Sequence, residues 1–246
     1  MKRLIIPVFL GQAGCPSRCV YCDQPAMSAQ ARLPDEREIE ARVRAYLDSA
    51  ARATKPFGER EIAFFGGTFT GLPPATQERF LALAGRFVDR GEVHAIRVST
   101  HPACLSEEAV ARLVCHGVQT VEVGAQSFDD EVLAEARRGH TAADVEAAAA
   151  RVHAAGLALG VQLMPGLPGA ELASDVASAR AAVALAPSLA RLYPTLVYRG
   201  TRLEAWWREG RYEALTLEEA LERTAEMLAI FGEAGVPVVR VGVHGA

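Results

Sequence analysis

Apolar and polar positions along this chain are grouped in blocks rather than alternating residue by residue. Six runs are apolar almost throughout, at 4–10, 62–65, 95–98, 118–123, 157–164 and 189–197. Strands that are apolar on both faces belong in a covered, parallel sheet. Between them lie stretches with helical spacing. Asp35 followed by Glu38 is a capping-box pattern, and Ile39, Val43, Tyr46 and Leu47 then recur on one helical face. Thr216 and Glu219 repeat the device near the other end of the chain. A strand followed by a helix, six times over, predicts right-handed βα crossovers and a parallel α/β sheet. A closed barrel needs eight such units, so the expectation is an open, partial (β/α)6 barrel of the TIM type. In such folds the chemistry gathers where strands end and βα loops begin.

The chain has 246 residues and is 50% hydrophobic, enough for one large core, and the expectation is a single core domain over residues 1–246. A formal charge of −4 supplies no basic field for tight, nonspecific nucleic-acid binding. The apolar run at 4–10 is too short to cross a bilayer, which predicts no membrane partner and a cytoplasmic location. The alanine-rich segment at 142–155 reads as a good helix former without functional content.

Five cysteines are present, and three of them fall in Gly14-Cys15-Pro16-Ser17-Arg18-Cys19-Val20-Tyr21-Cys22, directly after the first strand. The spacing CxxxCxxC suits thiolates wrapped around an iron-sulfur core, with three ligands for four irons and one iron left open. Structural zinc requires four protein ligands, and no further Cys or His neighbours the trio; Cys104 or Cys115 would have to supply the fourth from a distance. Simple burial of three apolar thiols is the remaining alternative, and a loop position disfavours it.

With Tyr21 just before its last cysteine, this motif resembles the signature of the radical S-adenosylmethionine (SAM) superfamily. Phe65-Gly66-Gly67-Thr68-Phe69-Thr70, Val121-Glu122-Val123-Gly124-Ala125-Gln126-Ser127, Arg138-Gly139-His140-Thr141, Met164-Pro165-Gly166-Leu167-Pro168-Gly169 and Tyr193-Pro194-Thr195-Leu196-Val197 are similar to one branch of it. That branch holds the radical SAM half of the Elongator catalytic subunit and its shorter bacterial relatives, and the similarity runs over residues 4–243. The resemblance implies a [4Fe-4S] cluster on Cys15, Cys19 and Cys22 and S-adenosyl-L-methionine as cofactors. It implies reductive cleavage of SAM to a 5'-deoxyadenosyl radical that abstracts hydrogen from a substrate. A low-potential electron donor of the flavodoxin or ferredoxin type goes with that chemistry.

The resemblance also places SAM contacts. Gly66, Gly67 and Thr68 stand where the SAM amino group is held, though two glycines there also suit a tight strand-to-helix turn. Gln126 matches a ribose-binding amide and Arg138 the partner of the SAM carboxylate, with Arg137 as the alternative of a solvated pair. Gln162 interrupts the fifth strand, either facing the ribose or as an inward structural amide. Tyr21 packs either near adenine or within its own loop.

Ser99 departs from the branch, whose members often carry Glu there, yet it retains a hydroxyl that can bond SAM. His101 and Ala103 replace the Arg and Asp of many relatives, which leaves His101 either at the mouth toward substrate or as a loop residue. Cys115 reads as a buried thiol at a helix end, and Cys104 as a loop thiol at the active end. No acetyltransferase segment accompanies the core, and the extension by which relatives recognise substrate is expected to be absent. Three classes follow: a radical SAM enzyme of unidentified substrate, with a tRNA nucleoside as a candidate; an iron-sulfur electron-transfer protein; and a SAM-binding module without turnover.

Overall fold

The computed structural model describes residues 2–23, 30, 32–54 and 57–242. Seven strands form one sheet in chain order: β1 (Lys2–Phe9), β2 (Phe57–Phe65), β3 (Ala95–Thr100), β4 (Thr120–Gln126), β5 (Ala158–Leu163), β6 (Leu189–Leu192) and β7 (Val238–Val241). Every neighbouring pair is parallel. Sequential order with parallel pairing winds the chain one way, and the result is the open half-barrel that the apolar runs predict.

Eight α-helices are described: α1 (Glu36–Ala51), α2 (Pro74–Asp89), α3 (Glu107–Cys115), α4 (Asp130–Glu135), α5 (Ala142–Ala154), α6 (Leu172–Ala184), α7 (Arg202–Arg208) and α8 (Leu217–Glu233). The caps form as read: Asp35 accepts from the Glu38 amide at 2.9 Å while Glu38 accepts from the Asp35 amide at 2.8 Å. Thr216 and Glu219 do the same at the start of α8. The alanine-rich helix α5 buries Val145, Ala148, Ala149 and Val152 against the sheet.

Two boundaries differ from the expectation. The sixth apolar run pairs only over Leu189–Leu192, because Pro194 has no N–H to give and Thr195 N donates instead to Pro165 O at 2.9 Å. A seventh strand, β7, lies beside β6 beyond the six predicted units. Its four residues are too short to signal a unit, and no further βα repeat is described after it.

The core divides the sheet's two faces. Ile62, Phe64, Ile96, Val98, Val121, Val123, Leu159, Val161 and Leu192 pack with α1, α2, α5 and α8 in one cluster of buried residues. Strand alternation sends the intervening residues to the other face, where the register aligns Ser99 with Glu122 and Glu122 with Gly160. That face is polar and buried. Glu61, Arg97, Glu122 and Arg191 are all under a tenth exposed and form a chain of ion pairs: Arg97–Glu61 at 2.7 Å, Arg97–Glu122 at 3.2 Å and Arg191–Glu122 at 3.1 Å. Two cations and two anions make the group neutral. Gly160 leaves room beside it, since a Cβ there would lie 3.2 Å from Glu122 Cγ and 2.9 Å from Leu189 Cδ1 and both side chains would have to shift.

Candidate functional site

The three cysteines lie on the loop that leaves β1, and that loop is set on the turn that leaves β2. Thr68 N donates to Ala13 O at 2.9 Å, and Gly67, at φ +67°, brings its backbone so close that a Cβ would sit 2.3 Å from Ala13 O. Gly14 is matched in the same way, with a Cβ 2.1 Å from Thr68 O. Gly66 also has a positive φ, of 68°. The glycine requirement at 66–67 is thus met by the turn and by the cysteine loop itself. On its other side the loop is held by Val20 N donating to Ala136 O at 3.2 Å, and by Leu203 N donating to Val20 O at 2.8 Å.

Cys15, Cys19 and Cys22 are partly buried. Two of them meet donors: the Thr68 hydroxyl reaches Cys15 Sγ at 3.5 Å and Arg138 Nη1 reaches Cys19 Sγ at 3.0 Å. Burial pushes the Cys15 thiol up, and the bond from Thr68 opposes it. Among the described residues, no three His, Cys, Asp or Glu side chains converge on a point that would hold one metal ion. A [4Fe-4S] cube asks for thiolates gathered around a core wider than one ion, because each thiolate takes a different iron. Three cysteines on one loop, with a cation against the middle one, fit such a cluster.

Arg138 is the hub of the site. Its guanidinium is buried, gives Nη1 to Cys19 Sγ and Nη2 to Gly124 O at 2.7 Å, and keeps an Nε–H without a protein partner among the described residues. An orphaned, buried, charged donor beside three thiols fits an anionic ligand group. Arg137 is exposed and belongs to the solvated surface.

At the end of β4 the chain bends sharply. Gln126 has φ +70°, unusual for a residue with a side chain, at a point where the β4–β5 register shifts. Met164 N donates to Gln126 O at 2.9 Å, and Gln162 Nε2 donates to Gln126 Oε1 at 3.1 Å. The two amides therefore form a pair across β4 and β5, which supplies the partner that Gln162 needs in an apolar strand. A Cβ at Gly124 would lie 2.7 Å from Gln126 Nε2 and push that amide aside.

Ser99 and Tyr21 have partners within the protein. The Ser99 hydroxyl donates to Glu122 Oε1 at 3.3 Å, at the edge of the buried charge chain. Tyr21 packs with Val20, Val132, Leu167, Leu203, Trp206 and Tyr212 in a second small core under the loop. Burial holds its phenol well above the usual value.

Two side chains differ from expectation. His101 is 4% exposed rather than open to the mouth; Nε2 lies 2.8 Å from Arg138 O and 3.1 Å from His140 Nδ1. Cys115 is exposed, because α3 turns Ala109, Val110 and Leu113 inward and Cys115 lies on the far side. Cys104 is partly buried on the β3–α3 connection, and burial pushes its thiol up.

Several residues escaped the sequence reading. Glu122 and Arg97 carry the signal that singled out Gln162, a polar residue inside an apolar strand. Asp175, Tyr212 and Arg223 carry none in the sequence, yet they fix the 164–170 turn. Gly166 N donates to Asp175 Oδ2 at 3.1 Å, the Tyr212 hydroxyl donates to Gly166 O at 2.8 Å, and Arg223 reaches both Asp175 at 2.9 Å and Ala170 O at 3.0 Å.

A family profile described as the radical SAM superfamily matches residues 10–177, and one described as the radical SAM C-terminal domain matches residues 187–246. The tRNA uridine(34) acetyltransferase of Dehalococcoides mccartyi is 29% identical over 228 residues, which cover 80% of this chain and 50% of that protein. Elongator complex protein 3 of Homo sapiens is 29% identical over 250 residues, covering 86% of this chain and 45% of its own length. The chain thus spans about half the length of the curated relatives it matches. Among solved structures, the archaeal Methanocaldococcus infernus Elp3 with an N-terminal deletion superposes with a TM-score of 0.74 at 23% identity, over 92% of this chain and 53% of that one. The coproporphyrinogen III oxidase HemN from Escherichia coli gives 0.65 at 17% identity, over 95% and 53%. At these identities the two structures speak for the half-barrel fold.

Proposed function

The chain belongs to the radical SAM superfamily, and from that premise we propose that Cys15, Cys19 and Cys22 hold a [4Fe-4S] cluster and that the enzyme acts on a nucleoside of tRNA. One observation carries the cofactor assignment: a buried arginine, Arg138, aims one N–H at the middle cysteine and leaves another without a partner among the described residues. The chemistry the cluster supplies when bound is one electron at low potential, with which SAM is cleaved reductively to methionine and a 5'-deoxyadenosyl radical.

The chain's own residues hold and shield. Arg138 Nε–H is a free, charged donor for the SAM carboxylate. The Gly66, Gly67 and Thr68 turn offers backbone carbonyls to the SAM amino group, and the Gln126–Gln162 amide pair faces the ribose hydroxyls. Ser99 and Tyr21 belong to the same reading as supports from the strand end and the loop. The ion-pair chain of Glu61, Arg97, Glu122 and Arg191 ties β2, β3, β4 and β6 together on the sheet face where the polar residues are buried.

The tRNA substrate is proposed from the names of the relatives, which are tRNA uridine(34) acetyltransferases. The single core over 1–246, a flavodoxin- or ferredoxin-type donor and a cytoplasmic setting sheltered from oxygen complete the proposal; no described helix is long and apolar enough to cross a membrane. The test is to reconstitute the protein anaerobically, supply SAM and reductant, and follow 5'-deoxyadenosine with and without tRNA. Stimulation by tRNA, together with binding that weakens steeply with salt, is the expected result. No detectable tRNA binding at low salt overturns the substrate assignment.

A further inference from the structure

His101 and His140 come from different loops and meet edge to face, with ring centroids 4.7 Å apart at 84°. His101 Nδ1 accepts from Ala103 N at 3.2 Å, so its proton is on Nε2. That Nε2–H faces Arg138 O at 2.8 Å and His140 Nδ1 at 3.1 Å, so His140 Nδ1 is a lone pair and its proton is on Nε2. His140 Nε2–H in turn points at Ala125 O, 3.1 Å away. One neutral assignment satisfies all four ring nitrogens. A further proton on either ring would set two N–H groups against each other or against the Ala103 amide. Burial, followed by the Arg138 charge, holds His101 down to about 4 and His140 down to about 3, which agrees with that assignment.

The carbonyls at the ends of this relay belong to the two residues that matter most at the site. Ala125 immediately precedes Gln126, whose φ of +70° needs external support. Arg138 is the hub itself, and its carbonyl has a second donor in Ser17 of the cysteine loop, at 3.0 Å. The pair therefore joins the β3 end, the β4 end and the segment after α4.

We infer that His101 and His140 are positioning residues, a neutral pair that sets Gln126 and Arg138 at the spacing needed to bind SAM beside the cluster. The inference rests on the cofactor reading above and adds to it the pair of residues that holds the contacts in register.

The test compares wild type with His101→Leu and His140→Leu, which lose the donors, and with His101→Gln and His140→Gln, whose amides donate from nearly the same place. Each full chain is reconstituted anaerobically, its iron and sulfide are counted, and SAM is titrated against the EPR spectrum of the reduced cluster. Leu variants are expected to keep the cluster and lose SAM affinity by about tenfold or more, with Gln restoring most of it. Leu variants that bind SAM as wild type does overturn the inference, as do Gln variants that fall as far as Leu. Should the Leu proteins fail to fold, the Gln pair decides alone: wild-type-like SAM affinity supports positioning, and loss of affinity with a full cluster overturns it. A wild-type cluster that is fully loaded and indifferent to SAM overturns the cofactor reading, and with it the inference.

Discussion

Glu122→Gln tests the physical core of this structure, because that one carboxylate serves two buried arginines. It accepts from Arg97 at 3.2 Å and forms an ion pair with Arg191 at 3.1 Å, and the side chains of all three are under a tenth exposed. Glutamine keeps the shape and removes the charge, which leaves the group of Glu61, Arg97 and Arg191 with a net positive charge in a dry interior. Removing one member of a buried pair costs about 3–5 kcal/mol, chiefly because the remaining ion has no water. The Arg191 guanidinium also stacks on Phe65, 4.4 Å from its centroid, and donates to the Tyr193 hydroxyl at 3.0 Å. Those contacts soften the loss toward the lower end of that range. Against a typical total of about 5–15 kcal/mol, even about 3 kcal/mol is a large share, visible as a fall of very roughly 6–12 °C in melting temperature for a chain of this size. Anaerobic urea denaturation of wild type and variant measures it. The Arg3–Glu59 pair, whose side chains are 46% and 64% exposed, is the control, and Glu59→Gln there should change stability by less than about 1 kcal/mol. A Glu122→Gln protein as stable as wild type would refute the reasoning.

Gly67→Ala places a Cβ at 2.3 Å from Ala13 O and forces a left-handed φ on alanine, so it should dislodge the cysteine loop and lower iron retained per chain to well under half of wild type; iron analysis after anaerobic reconstitution measures it, and full loading would contradict the packing argument. Tyr212→Phe removes the hydroxyl donated to Gly166 O and leaves that buried carbonyl short of a donor, at a cost of about 1–2 kcal/mol in urea unfolding with cluster content unchanged. Acidification bears on the histidine pair, which faces Arg138 and Asp144: folded pKa values below about 6.5 mean that the unfolded chain takes up protons first, so stability falls from about pH 6.5 toward 4, by at most about 1.4 kcal/mol per pH unit for each histidine and less with partial solvent access. The double variant His101→Gln and His140→Gln should show a shallower fall between about pH 7 and pH 5, and equal slopes would count against neutral histidines in the fold.

The half-barrel was legible because each of its first six strands carries an apolar run and several of the helices between and after them announce themselves by a cap, as at Asp35 and Thr216. β7 was not counted because four residues with no further repeat behind them give no period to read. The cysteine trio and the glycine turn were legible as motifs, but their contact was not: that Gly67 exists for the Ala13 carbonyl is a fact about two loops far apart in sequence. The same reason hid the histidines. His101 reads as one residue beside a proline, and its partner lies after α4, so the pair exists only once β3 and β4 are neighbours. Glu122 and Arg97 were readable in principle, as charges inside apolar strands that each demand a partner.

The central claim, that the cysteine loop holds a redox-active cluster that cleaves SAM, is tested most directly by one comparison. Wild type and Cys19→Ala are reconstituted anaerobically with iron and sulfide, reduced in the presence of SAM, and assayed for 5'-deoxyadenosine. The account predicts product from wild type and none from Cys19→Ala. No product from a fully loaded wild type, or equal product from both proteins, would contradict it.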